Sequence, residues 1–200
     1  MFLKLTGRAC LVVGAGSVGE SKIRSLLPTG ARVRAVARCA TPAVIKWAQS
    51  GRIVWEARSF APADLEGVFL VIAATSSVEV NEMVFREAQR RNVLCNAVDD
   101  PVRFDFYYPA VVRRGSLQIA ISTEGQSPAL AQRLRGELEN QFGADYAGWV
   151  EHLGEGRKQL LAQEMDYEHR RSLLHEQAGP AAFERFVRGL RPAARMKERL

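Results

Sequence analysis

The chain has 200 residues, of which 47% are hydrophobic and 25% charged, and a net charge of +6. That is the balance of a globular protein with room for one medium domain or two small ones. The longest apolar run, Val68 to Ala74, is far short of the roughly 20 residues that span a bilayer. The opening Met1-Phe2-Leu3-Lys4-Leu5-Thr6-Gly7 lacks the layout of a secretory signal, so a cytoplasmic protein with no membrane partner is expected.

From Ala9 to Asn96, strand-like runs alternate with amphipathic ones. Strands are predicted at Ala9 to Val13, Arg32 to Ala37, Ile53 to Trp55, Val68 to Ala74 and Val93 to Asn96. Helices are predicted at Ser17 to Leu27, Pro42 to Gln49 and Val80 to Arg91. This β-α-β order predicts a parallel sheet with helices on both faces. After Pro101 the pattern changes. Ala110 to Arg114 and Leu117 to Ser122 read as two short strands joined by Arg114-Gly115-Ser116. Ser127 is a good N-cap with Pro128 at the first helical position, and Leu130, Leu134 and Leu138 then repeat on one face. Gly143, Gly148 and Gly179-Pro180 read as breaks in the helical remainder. Phe183, Phe186, Val187 and Leu190 mark one more amphipathic helix, and the basic end from Arg191 to Leu200 is expected to fray. The fold class expected is α/β: a Rossmann-type domain over 1–112, a strand-plus-helix dimerisation region over 113–143 and a helical domain over 144–200.

Leu11-Val12-Val13 runs directly into Gly14-Ala15-Gly16-Ser17-Val18-Gly19 and then into a helical stretch. In that context the glycines serve a tight turn, a close approach to pyrophosphate and close helix–strand packing, with the helix N-terminus facing the phosphates. A nicotinamide dinucleotide site is therefore predicted at Gly14, Ala15, Gly16, Ser17 and Val18. The acid that commonly ends the second strand and binds the ribose hydroxyls is absent, and Ala37-Arg38-Cys39 stands there. Taken alone, Arg38 favours the 2′-phosphate of NADP; the alternatives are stacking on adenine or plain exposure.

Cys10, Cys39 and Cys95 are odd in number and far apart, so they read as free thiols rather than a disulfide framework or metal clip. His169 and His175 are six residues apart, on different faces of a helix, so no metal site is expected. The basic balance admits nucleic acid, an acidic membrane or a polyanionic small substrate. Many of the arginines lie after Arg113 on helical stretches that also carry glutamate, the pattern of a solvated face, and no helix-turn-helix is recognisable, so no nucleic-acid partner is expected.

Several motifs stand in a familiar order: Phe2-Leu3-Lys4-Leu5, Val12-Val13-Gly14-Ala15-Gly16-Ser17-Val18 with Lys22, Val71-Ile72-Ala73-Ala74-Thr75 with Val80-Asn81, Cys95-Asn96-Ala97-Val98-Asp99-Asp100-Pro101, Phe106, Pro109-Ala110, Ile119-Ala120-Ile121-Ser122-Thr123 and Ser127-Pro128-Ala129-Leu130-Ala131. In these the chain resembles the precorrin-2 dehydrogenase and sirohydrochlorin ferrochelatase family, the dehydrogenase module of siroheme synthases. Departures are Gly19, where alanine is common, and Ser77-Val78, where an acidic pair is frequent.

The resemblance implies NAD-dependent oxidation of precorrin-2 to sirohydrochlorin, with NAD rather than NADP as cofactor; separately, the apolar surface of the Ala110 to Ser122 strands and of the Leu130, Leu134, Leu138 stripe predicts a homodimer. Some members also insert iron or cobalt, and the sequence leaves that activity open. Asp99 matches the aspartate to which the family assigns the proton-accepting role. The loops after the fourth and fifth strands face the nicotinamide half in such folds, which adds Thr75 and Ser76 to Arg38 and Cys39 as cofactor-binding candidates. Precorrin-2 carries eight carboxylates, so Arg103 and Arg113 are candidates for its acidic arms. Ser122, Thr123, Gln126 and Ser127 offer hydroxyl and amide groups at a helix N-terminus. Two other readings stand beside this one: a generic NADP-dependent reductase, and a redox-sensing module acting through its basic tail.

Overall fold

The computed structural model describes residues 2–98 and 100–197 and divides into two compact units, Met1–Tyr107 and Tyr108–Leu200. The first unit contains β1 (Ala9–Ala15), α1 (Ser17–Leu26), β2 (Arg32–Ala40), α2 (Pro42–Gln49), β3 (Val54–Glu56), β4 (Leu70–Ala73), α3 (Val78–Arg90) and β5 (Leu94–Ala97). Its five strands are all parallel, in the order β3-β2-β1-β4-β5. The order turns back at β1, so a crevice opens beyond the C-terminal ends of β1 and β4, the place where such sheets bind ligands. This is the α/β Rossmann-type arrangement that the alternation of strands and helices predicts.

Every residue of β4 is buried, and so are Cys10, Leu11, Val12 and Val13 of β1. A parallel sheet covered on both faces requires such continuous apolar runs. On one face Leu11, Val13, Val36, Val71, Val84 and Ala88 pack into a single core with Leu65. β2 runs three residues beyond the expected end at Ala37. After an irregularity between Val13 and Ala15, Ala15 pairs with Ala40, and this long-range pairing keeps β2 extended. A 3-10 turn at Pro62–Leu65, which the periodicity does not reveal, leads into β4.

The second unit contains the antiparallel pair β6 (Ala110–Arg114) and β7 (Leu117–Ile121), then α4 (Pro128–Gln141), α5 (Asp145–Leu161), α6 (Tyr167–Gln177) and α7 (Pro180–Lys197). Gly115 makes the hairpin turn at φ +55°, where a left-handed conformation favours glycine. The division falls between Tyr107 and Tyr108 rather than at 112/113 because all of β6 pairs with β7. Strands and helices form one unit because Arg114 donates to the carbonyls of Phe142 and Glu139 at 2.8 and 3.0 Å. A Cβ on Gly115 would also lie 3.2 Å from the Cβ of Ala147 in α5.

One local expectation is corrected. Gly148 does not break a helix: it lies inside α5, where its missing Cβ leaves room for Phe186, whose Cζ stands 3.4 Å from that position. The helix α7 runs to Lys197, and residues 198–200 of the end expected to fray lie outside the described residues. The break at Gly143 and the one at Gly179 fall between helices as expected. No helix among the described residues is long and apolar enough to cross a membrane.

Candidate active site

The three glycines from the end of β1 into α1 occupy distinct situations. Gly14 has φ +102°, and a Cβ there would lie 2.3 Å from the Ala74 carbonyl oxygen, so both the turn and the closeness of β4 demand glycine. A Cβ on Gly19 would lie 2.1 Å from the Gly14 carbonyl oxygen, which lets α1 pack tightly against the loop. Gly16 is under neither constraint. Its φ is −74° and its missing Cβ meets nothing within 4 Å, so the fold would accept a side chain there. The space left is the cradle that a pyrophosphate approaching the backbone requires.

Gly16 is also the N-cap of α1, and no side chain caps that helix. By contrast Thr41 accepts from the Val44 N–H at the start of α2, and Ser77 from the Val80 N–H at the start of α3. The first N–H groups of α1 therefore keep their donors and the positive end of the helix dipole for an anion. Residues and group fit: a nicotinamide dinucleotide would be held here by Gly14, Ala15, Gly16, Ser17 and Val18.

These residues open onto a cleft of about 780 Å³ that is also lined by Arg38, Cys39, Arg58, Phe60, Thr75, Ser76 and Val98. All nine expected cofactor residues thus lie along one cleft. Arg38 is exposed and makes no hydrogen bond or ion pair among the described residues. Cys39 is an exposed thiol, whereas Cys10 and Cys95 are buried. Burial pushes the Cys10 thiol up to about 11 and, together with Asp105, that of Cys95 to about 12, which keeps both protonated near neutrality.

Sequence reasoning missed the residues that hold this cleft in shape. Asn81 clamps the loop after β4: its Oδ1 accepts from the Thr75 N–H at 3.2 Å and its Nδ2 donates to the Thr75 carbonyl at 3.1 Å. On the opposite side, Asp64 is 4% exposed and holds Arg58 through two parallel hydrogen bonds of 2.8 and 2.5 Å. Arg34 bridges Glu56 at 3.0 Å and Asp64 at 3.3 Å. The Arg58 guanidinium holds the Asp64 carboxyl below its ordinary range, and Arg34 followed by Arg58 does the same to Glu56. The available signal was position: Arg58-Ser59-Phe60 begins two residues after the end of the third strand, at the ligand-binding edge of such sheets.

The proposed base, Asp99, lies outside the described residues. The segments flanking it are stapled. The Cys95 N–H donates to Asp105 Oδ2 at 2.8 Å, the Asp105 N–H donates to the Cys95 carbonyl at 2.8 Å, and buried Asn96 donates to the Phe106 carbonyl at 2.8 Å. Arg103 pairs with Asp100 and lies 3.7 Å from Glu82, so its guanidinium already has acidic neighbours.

Arg113 and the polar loop belong to the second unit. Arg113 is exposed on β6. The Ser127 hydroxyl accepts from the Leu130 N–H at 3.3 Å, capping α4, and Thr123 Oγ1 accepts from the Ser127 N–H at 3.2 Å. Ser122 Oγ accepts from the Glu124 N–H at 3.2 Å, and the Gln126 N–H donates to the Thr123 carbonyl at 2.8 Å. Glu124 and Gly125 have φ of +50° and +79°, so 122–127 forms a tight turn whose hydroxyls first serve its own backbone. His152 stacks against Trp149 and lies against Phe186, while His175 Nδ1 is 3.1 Å from the Arg171 carbonyl. No group of three or more potential metal ligands occurs among the described residues.

Comparison with known proteins places the junction of two families a few residues later, between 110 and 114. Residues 1–110 match the family described as "Putative NAD(P)-binding", and residues 114–141 match "Sirohaem biosynthesis protein central". "Siroheme synthase 1" of Serratia proteamaculans is 41% identical over 160 residues, covering 80% of this chain and 34% of that protein. "Siroheme synthase" of Methylobacillus flagellatus is 37% identical over 195 residues, covering 98% of this chain and 42% of that protein. The chain thus spans between a third and a half of the length of these relatives. The solved structure of "SirC, precorrin-2 dehydrogenase" superposes with a TM-score of 0.77 at 25% identity, covering 96% of this chain and 98% of the other.

Proposed function

This chain belongs to the NAD(P)-binding family of siroheme biosynthesis proteins, and from that premise we propose that it oxidises precorrin-2 to sirohydrochlorin with NAD. The observation that carries the reading is Gly16, a glycine that neither backbone angle nor packing requires, at the mouth of an uncapped helix. The names of the relatives, siroheme synthases and a precorrin-2 dehydrogenase, supply the substrate.

The reaction removes one hydride and one proton from the macrocycle. Bound NAD supplies the hydride acceptor. The N–H groups of α1 would hold the pyrophosphate, and Asn81 fixes the Thr75 loop at the end of β4. We assign proton removal to Asp99, and carboxylate binding to Arg103, Arg113, Ser122, Thr123, Gln126 and Ser127. A second copy of the chain completes the second unit as a homodimer.

The test is oxidation of precorrin-2 followed by absorbance, first with NAD and then with NADP. Turnover with NAD supports the reading, and turnover with neither overturns it. NADP is the competing cofactor because Arg38 keeps its donors uncommitted at the end of β2; tighter binding of NADP in a calorimetric titration would replace NAD in this assignment. Adding iron(II) or cobalt(II) to sirohydrochlorin tests metal insertion. A rate no higher than the spontaneous one limits the protein to the oxidation.

A further inference from the structure

Arg58 lines the cleft beside Arg38, yet the two side chains offer a ligand different things. A guanidinium has five N–H donors arranged around the rim of a flat group. In Arg58 every one is directed at a protein acceptor. Nε donates to Glu56 Oε2 at 2.9 Å, and Nη2 donates to the same oxygen and to Asp64 Oδ1 at 2.5 Å. Nη1 donates to Asp64 Oδ2 at 2.8 Å and to the Ser59 carbonyl at 3.0 Å. The frame that holds this plane is itself braced, because Asp64 accepts from the Ala61 N–H at 2.9 Å and Arg34 spans both carboxylates.

The rim of Arg58 is thus consumed, while 42% of the side chain remains exposed. Having no donor left, it cannot add a hydrogen bond to a phosphate or hydroxyl. Its flat face remains available, and guanidinium faces stack on aromatic rings. Phe60 adds an apolar wall to the same part of the cleft. That part lies beyond β2 and β3, on the far side of β1 from the Thr75 loop, where the adenosine half of a dinucleotide extends when the nicotinamide half lies over β4 and β5.

We infer that Arg58 is the adenine platform of this cleft, a stacking surface whose plane is set by Glu56 and Asp64 as positioning residues, and that it takes no part in recognising a 2′-phosphate. The inference rests on the dinucleotide reading above and adds a contact to it. Any discrimination between NAD and NADP by an arginine in this region falls to Arg38, whose donors are uncommitted.

The experiment is titration calorimetry of the full chain with NAD, NADP, ADP-ribose and nicotinamide mononucleotide, for the wild type and for Arg58→Lys. Lysine keeps the charge and can still pair with Asp64, but it has no plane. Arg58→Lys is expected to weaken ADP-ribose, NAD and NADP by one common factor of about ten, the scale of a single desolvated cation–π contact. Nicotinamide mononucleotide should bind both proteins equally. Unchanged ADP-ribose affinity in a folded Arg58→Lys protein, or a loss confined to NADP, overturns the inference. If Arg58→Lys does not fold, the wild type carries the test. Stacking ignores the hydrogen-bonding edge of the base, so a dinucleotide with hypoxanthine in place of adenine should bind within about twofold of NAD, and binding weaker by about tenfold or more overturns the platform. Failure of the wild type to bind either NAD or ADP-ribose would instead overturn the dinucleotide reading, and this inference with it.

Discussion

The two units solve the problem of burial differently. In the first, β1 and β4 are buried on both faces and the core includes Leu11, Ile23, Val36, Ile72 and Val84, each at most 1% exposed. In the second, the buried hydrophobic residues among those described are Val112, Ala131, Trp149 and Leu160. Its sheet has only two strands, which is marginal without further cover. Leu117, Ile119 and Ile121 of β7 are only half-buried, and Leu130 of α4 is 39% exposed. The first unit can therefore maintain its cleft by its own packing, whereas the second has an apolar sheet and helix face that the proposed homodimer would cover with a second copy.

The largest effect should come from making the same cut in both places. Ile72→Ala empties a site that is fully enclosed in β4 and should cost about 2–5 kcal/mol. Ile119→Ala, on half-buried β7, should cost less than about 1 kcal/mol per chain, and Ile119→Asp should shift the dimer to monomer. Chemical denaturation and light scattering check both. Wild type that is monomeric at micromolar concentration would break the comparison, since the second unit would then be complete with its thin core.

Next in size is the chemistry assigned to the first unit. Asp99→Asn keeps the size of the side chain but removes the base, so turnover of precorrin-2 should fall about a hundredfold or more, the usual scale of acid–base catalysis. NAD affinity, melting temperature and dimer formation should be unchanged. Asp100→Asn should cost far less, because Asp100 is paired with Arg103. Near-normal turnover by folded Asp99→Asn would remove this residue from the mechanism.

The glycines sharpen the contrast within the first unit. Gly16→Ala places a methyl where no protein atom lies within 4 Å. It should leave the melting temperature unchanged and weaken NAD by about tenfold, roughly 1.4 kcal/mol. Gly14→Ala meets the Ala74 carbonyl and should destabilise the unit itself. An equal loss of stability in both variants would show that Gly16 serves the fold rather than the ligand.

What could be read from sequence was local. Gly14-Ala15-Gly16-Ser17-Val18-Gly19 between a strand and a helix is written in consecutive residues, and so is the cap at Ser127. What could not be read depends on partners distant in the chain. The end of β2 is set by Ala40 meeting Ala15, and the helical state of Gly148 goes with Phe186 packing over it. The brace around Arg58 joins Asp64 to Arg34, thirty residues apart. Asn81 stood in view within a motif, but its bond to Thr75 requires the loop to fold back.

The smallest effect separates the units by acid. In the second unit the ion pairs among the described residues, such as Arg133–Glu137 and Lys158–Glu155, are exposed i,i+4 or i,i+3 contacts, worth about 0.3–0.5 kcal/mol each. In the first, Asp64 is 4% exposed, and Arg58 lowers its folded pKa below the unfolded value of about 4. A carboxylate with a depressed folded pKa contributes stability that is fully present above its unfolded pKa and is lost as pH falls through the folded one. The sign is therefore fixed: wild type should lose stability below about pH 4 as Asp64 and Glu56 take up protons. Asp64→Asn removes the titrating group. The stability difference between wild type and Asp64→Asn should be constant from neutrality down to about pH 4 and narrow below it. Because Arg34, Arg58 and Glu56 are all 30–42% exposed, solvent screening keeps the whole effect modest. Urea denaturation of both proteins between pH 7 and pH 2.5, chosen about the unfolded carboxylate value, measures it. A difference that persists unchanged to the lowest pH would show that Asp64 matters for its shape and hydrogen bonds alone, and that the brace around Arg58 does not depend on its charge.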